Sequence, residues 1–305
     1  LTLVSPNGPP DRAAADTVLT YEAQWNCTLR NDQRQASIDV LLDSLRGSAS
    51  GRVGVELSSF PLFLIELEVE WVEIEPVLYR LRRRKDPDEL ARIVKAISAT
   101  EKMYERARAI IEPGISELEV FSQLQAAAVE ELGEMLTGTG NDYQCGSPGG
   151  PPRAGRLAEA GELYILDLGP AFRGYFADNC RTIAVTEPTD EQRQAWLDVM
   201  LVFETIEKSA QPGIPGADLF RQAQAILDES PVGVFNHHLG HGIGLFPHEA
   251  PHLNPKWEDT LEVGDVFTVE PGLYAPELKA GIRIENNYLV TETGVKRLTN
   301  FTTEL

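Results

Sequence analysis

The chain has 305 residues, with 27 Lys and Arg against 47 Asp and Glu and a formal net charge of −20. Hydrophobic residues make up 42 % and charged residues 24 %, which excludes a disordered or collagen-like chain and predicts a packed core. The acidic balance argues against a general electrostatic grip on nucleic-acid phosphates, and the length predicts two domains at roughly 100 to 200 residues each. Cys27, Cys145 and Cys180 form an odd, widely spaced set with no C-x-x-C pair, as expected of a chain kept in a reducing compartment. The most apolar stretch, Phe60 to Val72, is interrupted by Glu66, Glu68 and Glu70 and falls short of the ~20 residues that span a bilayer, so no membrane partner is expected. The segment after Leu1 lacks the basic and apolar regions of a signal peptide, and cytoplasm is the default expectation.

Taken in chain order, residues 1–82 predict a short α/β domain, with a helix near Asp32 to Leu45 and strands at Arg52 to Leu57 and Glu66 to Glu75. In Glu66-Leu67-Glu68-Val69-Glu70-Trp71 strict alternation predicts a solvated edge strand. The basic run Arg82-Arg83-Arg84-Lys85 reads as a solvated junction, and Pro87 sits where a helix can begin. From Asp88, apolar residues at spacings of three, four and seven predict a helix ending before Pro113-Gly114. A second helix follows at Glu117 to Leu132. Next come a Gly- and Pro-rich stretch from Gly138 to Gly155, expected to be a connector or active-site lid, and strands at Leu163 to Leu168 and Gly174 to Val185. Helices near Asp190 to Ser209 and Gly216 to Leu227 then precede a second strand-rich segment ending near Val290.

That order repeats, and so do its residues. Pro113-Gly114-Ile115 recurs as Pro212-Gly213-Ile214, and Phe121, Gln123, Gln125 and Ala126 recur at the same offset as Phe220, Gln222, Gln224 and Ala225. Gly161 to Gly169 aligns without gaps on Gly264 to Gly272, which sets Asp167 opposite Glu270. Gly174 to Asn179 aligns on Gly281 to Asn286, which sets Asp178 opposite Glu285. Carboxylates in otherwise apolar strands are costly unless something neutralises them. Four such acids converging about a pseudo-two-fold axis would carry a charge that two divalent cations balance. Any one of them alone would be read as a polar position on a twisted strand; their repetition favours a two-metal site.

All five histidines lie between His237 and His252, namely His237, His238, His241, His248 and His252. His241 sits in Gly240-His241-Gly242-Ile243-Gly244, where small neighbours let backbone and metal approach closely, and His237 and His248 flank it. This clustering beside the acids favours a ligand or catalytic role over a structural one. His248-Glu249-Ala250-Pro251-His252 matches the H-E-x-x-H pattern of zinc peptidases, but that pattern needs a helix. Pro247 and Pro251 bracket the segment, and Pro inside a helix costs about 3 kcal/mol. No P-loop or G-x-G-x-x-G fingerprint is present, and Cys145 occupies the leading position where a nucleophile elbow at Ser147 needs Gly.

Asp167-Leu168-Gly169, then Gly174-Tyr175-x-x-Asp178-x-x-Arg181-Thr182, Gly240-His241-Gly242, Val269-Glu270-Pro271-Gly272 and Arg283-x-Glu285 together resemble the pita-bread metallopeptidases, the family of creatinase, prolidase, aminopeptidase P and methionine aminopeptidase. The resemblance covers residues 83–305. It implies an α+β pita-bread catalytic domain with an internal pseudo-two-fold repeat, preceded by a creatinase-like N-terminal domain at residues 1–82. It implies metal ligands at Asp167, Asp178, His241, Glu270 and Glu285, and two metals sharing a bridging water or hydroxide that attacks the scissile carbonyl. Glu270 would accept and relay the water proton, His248 and His237 would hydrogen-bond substrate and oxyanion, and Arg283 and Tyr274 would support the metal centre and proton relay. The hard, oxygen-rich ligand set favours Mn²⁺, with Fe, Co or Zn as alternatives.

The N-terminal unit points to the Xaa-Pro branch of aminopeptidase P and prolidase, and the resemblance further implies a homodimer. Two departures are visible: the N-terminal unit is shorter than that branch usually carries, and the loop from Asn141 to Pro152 has no histidine where such peptidases generally place one against substrate. Three readings follow. The first is a dinuclear peptidase hydrolysing Xaa-Pro bonds at peptide N-termini or in dipeptides. The second is a metal-dependent hydrolase or lyase of the same fold acting on a small non-peptide substrate. The third is a non-catalytic binding module.

Overall fold

In the computed structural model, which describes residues 1–140 and 142–305, Pro87 opens helix α1 (Pro87–Ile110), where its fixed φ suits the first turn and its missing N–H leaves nothing unpaired. The Glu89 carboxylate closes that turn by accepting from the Asp86 N–H at 2.8 Å. Ile93, Ala96, Ile97, Thr100, Met103, Tyr104 and Ala107 form its buried stripe. Helix α2 (Glu117–Leu132) starts at Ser116, whose Oγ accepts from the Glu119 N–H at 3.1 Å, and stops at Gly133 in the left-handed region with φ 70°. Helix α3 (Asp190–Ser209) begins with a reciprocal pair: Thr189 Oγ1 accepts from Gln192 N–H at 3.3 Å and Gln192 Oε1 from Thr189 N–H at 3.0 Å. Helix α4 (Gly216–Leu227) starts on a glycine because a Cβ there would lie 2.5 Å from the His252 carbonyl oxygen.

Each helix pair precedes an antiparallel sheet. The first contains β1 (Asp142–Cys145), β2 (Leu163–Leu168) and β3 (Asn179–Ala184), with β2 central, so that Asp142 and Cys180 both stand opposite Asp167. The second has the order β5-β4-β6-β7-β8, from β4 (Gly240–Gly242), β5 (Glu249–Leu253), β6 (Val266–Val269), β7 (Asn286–Thr291) and β8 (Gly294–Arg297). Met103, Val120, Leu124, Leu166 and Leu168 bury the first helix pair on its sheet, and Val199, Phe203, Leu219, Ala223, Phe267 and Val269 bury the second. Leu163 to Leu166 are all buried: Leu163 joins the core of the second helix pair, and Tyr164 and Leu166 join that of the first. Among the described residues no helix is long and apolar enough to cross a membrane.

The chain divides into two compact units, Leu1–Leu78 and Tyr79–Leu305. In the smaller, a helix (Gln33–Leu45) buries Ile38 and Leu42 with Leu64, and two parallel strand pairs form, Thr2–Pro6 with Thr17–Tyr21 and Arg52–Val55 with Glu70–Glu73. The strand predicted at Glu66 to Glu75 is shorter than expected, because the alternating pattern is cut by a 3₁₀ turn at Leu62–Glu66. The Leu67 N–H is spent on the Leu64 carbonyl at 3.0 Å and cannot join a ladder. Its far end is a helix, Glu75–Arg83.

The basic run is not a solvated junction. Arg83 is buried in the larger unit, donating from Nε and Nη2 to the two oxygens of Asp265 at 3.0 and 2.6 Å and from Nη2 to the Thr260 carbonyl at 2.8 Å. The Lys85 ammonium pairs with Glu249, both side chains almost wholly buried, and Arg82 lies 4.9 Å from the Phe246 ring centroid. The counter-charges come from far along the chain, where a local window cannot reach. Breaking a buried pair by removing one partner leaves an uncompensated charge, so Arg83→Ala is expected to lower the unfolding free energy by about 3–5 kcal/mol in urea titration. A loss under about 1 kcal/mol, the range of an exposed pair, would show that water reaches the Asp265 carboxylate.

Candidate metal centre

The acids sit where strands stop. Asp167 is next to last in β2, Asp178 lies between the short strand Tyr175–Phe176 and β3, Glu270 directly follows β6, and Glu285 lies between Ile282–Arg283 and β7. At such breaks a side chain escapes the up-and-down alternation and can turn toward a common point. His241 is the middle residue of β4. Its neighbours must be glycines: a Cβ at Gly240 would lie 2.0 Å from the Thr268 carbonyl oxygen, and one at Gly242 2.1 Å from that of Ala250. Two bare residues thus let β4 lodge between β5 and β6 and carry the imidazole to the acids.

These five side chains line one cavity of about 440 Å³, together with Asp142, Pro148, Asn236, His237, His238, His248, Tyr274 and Arg283. Their ligand atoms form overlapping groups, each within 4.8 Å: Asp167, Asp178 and Glu285; His241, Glu270 and Glu285; Asp178, His241 and His248. His241 Nε2 lies 3.4 Å from Glu270 Oε1 and 3.7 Å from Asp178 Oδ2. Glu285 is 1 % exposed, and neither carboxylate oxygen has a hydrogen-bond partner. A buried carboxylate without a partner is among the costliest groups a fold can hold. Divalent cations fit this donor set: they would supply the missing partners for Glu285 and compensate the acids around it.

Withdrawal from water, and then the charge of Asp167, pushes Asp178 well above the usual carboxylate range; burial followed by Asp178 and Asp167 does the same to Glu285. Asp167 is raised less, its burial opposed by Arg283. Burial would also raise Glu270, but hydrogen bonds from His238 and His241 outweigh it and hold that group well below its ordinary value. One of four neighbouring acids is thus kept ionised by imidazoles while two others resist ionisation.

Around the acids runs a hydrogen-bonded chain. Arg283 donates from Nη2 to Asp142 and, at 2.9 Å, to Asp167, and from Nη1 to the Tyr274 hydroxyl at 3.2 Å. His237 Nδ1 faces the His238 carbonyl at 2.8 Å, so the proton belongs on Nδ1 and Nε2 accepts from the Tyr274 hydroxyl at 2.9 Å. His248 stacks on His241 with centroids 3.6 Å apart and planes 11° from parallel. Partial loss of water, then His241, pushes its pKa down to about 4.

Every residue given an individual ligand or catalytic role above faces this cavity, as do four of the five clustered histidines. His252 does not: it donates its N–H to Asp259 at 3.0 Å, pairs with it through Nδ1 at 2.7 Å, and stacks on Trp257 at 3.9 Å. The H-E-x-x-H segment runs into strand β5, not a helix. Four residues in the cavity had been given no individual role, Asp142, Pro148, Asn236 and His238, and two of them bond its charged groups. His238 reaches Glu270 Oε1 through Nε2 at 2.8 Å, and its place in the histidine cluster was the available signal. Asp142 carried no signal, since only the register of β1 on β2 brings it here. In the loop without histidine, Pro148 lines the cavity and Asn141 lies outside the described residues.

Residues 91–292 match the model of metallopeptidase family M24. The chain is 35 % identical over 283 residues to the Xaa-Pro dipeptidase of Pyrococcus horikoshii, covering 88 % of this chain and 78 % of that one. It superposes on the prolidase of Pyrococcus furiosus with a TM-score of 0.77 and 29 % identity, over 94 % of this chain and 82 % of the other. On the X-Pro aminopeptidase of Thermotoga maritima the TM-score is 0.79 at 27 % identity, over 94 % and 81 % of the two chains. The mixed helix and sheet architecture is that of these proteins.

A folded-state carboxylate pKa above the unfolded one means that the ion-free fold loses stability as pH rises from about 4 through the raised value. Cation binding displaces the same protons and strengthens with pH. The difference in melting temperature between protein with excess Mn²⁺ and protein with chelator is therefore expected to widen from about pH 5 to about pH 8. A constant difference in thermal scans would mean that Asp178 and Glu285 are not the groups that bind the ion.

Proposed function

The chain belongs to metallopeptidase family M24, and from that premise we propose that it is a metal-dependent peptidase that hydrolyses the bond before proline in Xaa-Pro substrates, at peptide N-termini or in dipeptides. The observation that carries the reading is Glu285, a buried carboxylate with two unpartnered oxygens among three further acids and His241. Asp167, Asp178, His241, Glu270 and Glu285 would hold two divalent ions. The oxygen-rich set favours Mn²⁺. Ions bound there lower the pKa of water and polarise a carbonyl.

The remaining work falls to this chain's own side chains. Glu270, kept ionised by His238, accepts a proton from the attacking water and passes it to the leaving proline nitrogen. His248 hydrogen-bonds the substrate carbonyl as it becomes an oxyanion, and its lowered pKa keeps the ring neutral at neutral pH, with one N–H to donate. His237 and Tyr274 form one hydrogen-bonded unit beside it. Arg283 orients Asp167. Residues 83–305 are read as the pita-bread catalytic domain, its two halves related by a pseudo-two-fold axis, and residues 1–82 as a short N-terminal domain. The family resemblance supports a homodimer, and the free state of Cys27, Cys145 and Cys180 fits a reducing compartment such as the cytoplasm.

The test is mass-spectrometric product detection from a panel of Xaa-Pro dipeptides, longer Xaa-Pro peptides and Met-starting peptides, with Mn²⁺ and with chelator. Cleavage before Pro that requires the ion and disappears in His241→Ala is expected; two bound ions per chain without cleavage would overturn the peptidase and point to a small non-peptide substrate. Glu270→Gln is expected to lower kcat by about 100- to 10,000-fold, the range of a lost general base.

A further inference from the structure

Asp142 stands directly across β1 and β2 from Asp167 and faces the same cavity. Its two oxygens have separate partners. Oδ1 accepts from the Gly150 N–H at 2.7 Å, and Oδ2 accepts from Arg283 Nη2, the nitrogen that also donates to Asp167 Oδ2 at 2.9 Å. Gly150 closes the loop whose Pro148 lines the cavity, and the Pro148 carbonyl lies 3.5 Å from Arg283 Nη1. The loop presses onto the carboxylate so closely that a Cβ at Gly149, where φ is 154°, would lie 2.4 Å from Asp142 Oδ2. One side chain therefore joins the loop, the guanidinium and an acid of the metal centre.

The charge arithmetic gives Asp142 a specific task. Arg283 and Asp142 side chains are 10 % and 17 % exposed, so water screens their interaction poorly. Without Asp142, the full positive charge of Arg283 would rest on Asp167 and compete with a divalent ion for that carboxylate. With it, Arg283 is neutralised, and Asp167, Asp178, Glu270 and Glu285 keep the four negative charges that two divalent ions balance. We propose that Asp142 is a positioning residue for the peptidase reaction, holding Arg283 as a neutral pair against Asp167 with one oxygen and the Pro148 loop against the cavity with the other. This rests on the reading of the site as a metal centre.

Asp142→Asn separates the two tasks. The amide oxygen still accepts from Gly150, whereas the amide NH₂ meets Arg283, donor against donor. The expected result is an affinity for Mn²⁺, measured by titration calorimetry, weakened by about 10- to 100-fold, with kcat falling by a similar factor and KM nearly unchanged. Asp142→Ala, which frees the loop as well, is expected to raise KM in addition. If the effect runs through Arg283, then Arg283→Gln and the double variant Asp142→Asn/Arg283→Gln bind Mn²⁺ equally. That comparison decides even if Asp142→Asn alone does not fold. Wild-type Mn²⁺ affinity and kcat in Asp142→Asn, or a further loss of affinity in the double variant, would overturn the inference and leave the metal centre standing. Wild-type protein that takes up no divalent ion would overturn the metal reading beneath it.

Discussion

The structure depends on the repulsion among four acids brought together in a poorly hydrated cavity. Loss of water, and then the close approach of the neighbouring acids, drives Asp178 and Glu285 toward the protonated form, and Glu285 keeps both oxygens without a partner. Such a cluster opposes folding in the absence of a counter-charge. The surrounding scaffold is what makes it tolerable: two sheets backed by helix pairs hold the strand ends in place, and the Gly240 and Gly242 backbone lets His241 close the set. The price is recovered when divalent ions bind, which ties stability and activity to the same event.

Each nitrogen donor around the cavity has a distinct place in that balance. Arg283 is shared between Asp167 and Asp142, while His238 and His241 keep Glu270 ionised. Away from the acids, Arg83 and Lys85 spend their charges on Asp265 and Glu249, and the latter follows His248 directly in the chain. Ion pairs in this unit thus brace the segments that carry site residues, and their worth lies in fixed geometry more than in net stabilisation.

Much of the site was legible in the sequence because the repeat placed acids at matching points. Asp167 opposite Glu270 and Asp178 opposite Glu285 could be paired by alignment alone, and His241 stood out through its glycines. Pro87 marked the start of its helix because its chemistry acts within the first turn, and the helices at Glu117 and Asp190 begin where apolar spacing set them. The strand expected at Glu66 to Glu75 went wrong where a local turn captured the Leu67 N–H, and the basic run went wrong because its partners lie far along the chain.

The sequence by itself determined which residues could bind an ion, since donor type, spacing and repetition are properties of the chain. Only the tertiary structure decided which groups support them. His238 on Glu270, Asp142 on Arg283, and the retirement of His252 to Asp259 and Trp257 all follow from strand register and strand breaks. A shift of one residue in the pairing of β1 with β2 would send Asp142 to the other face, and nothing in its local sequence would record the loss.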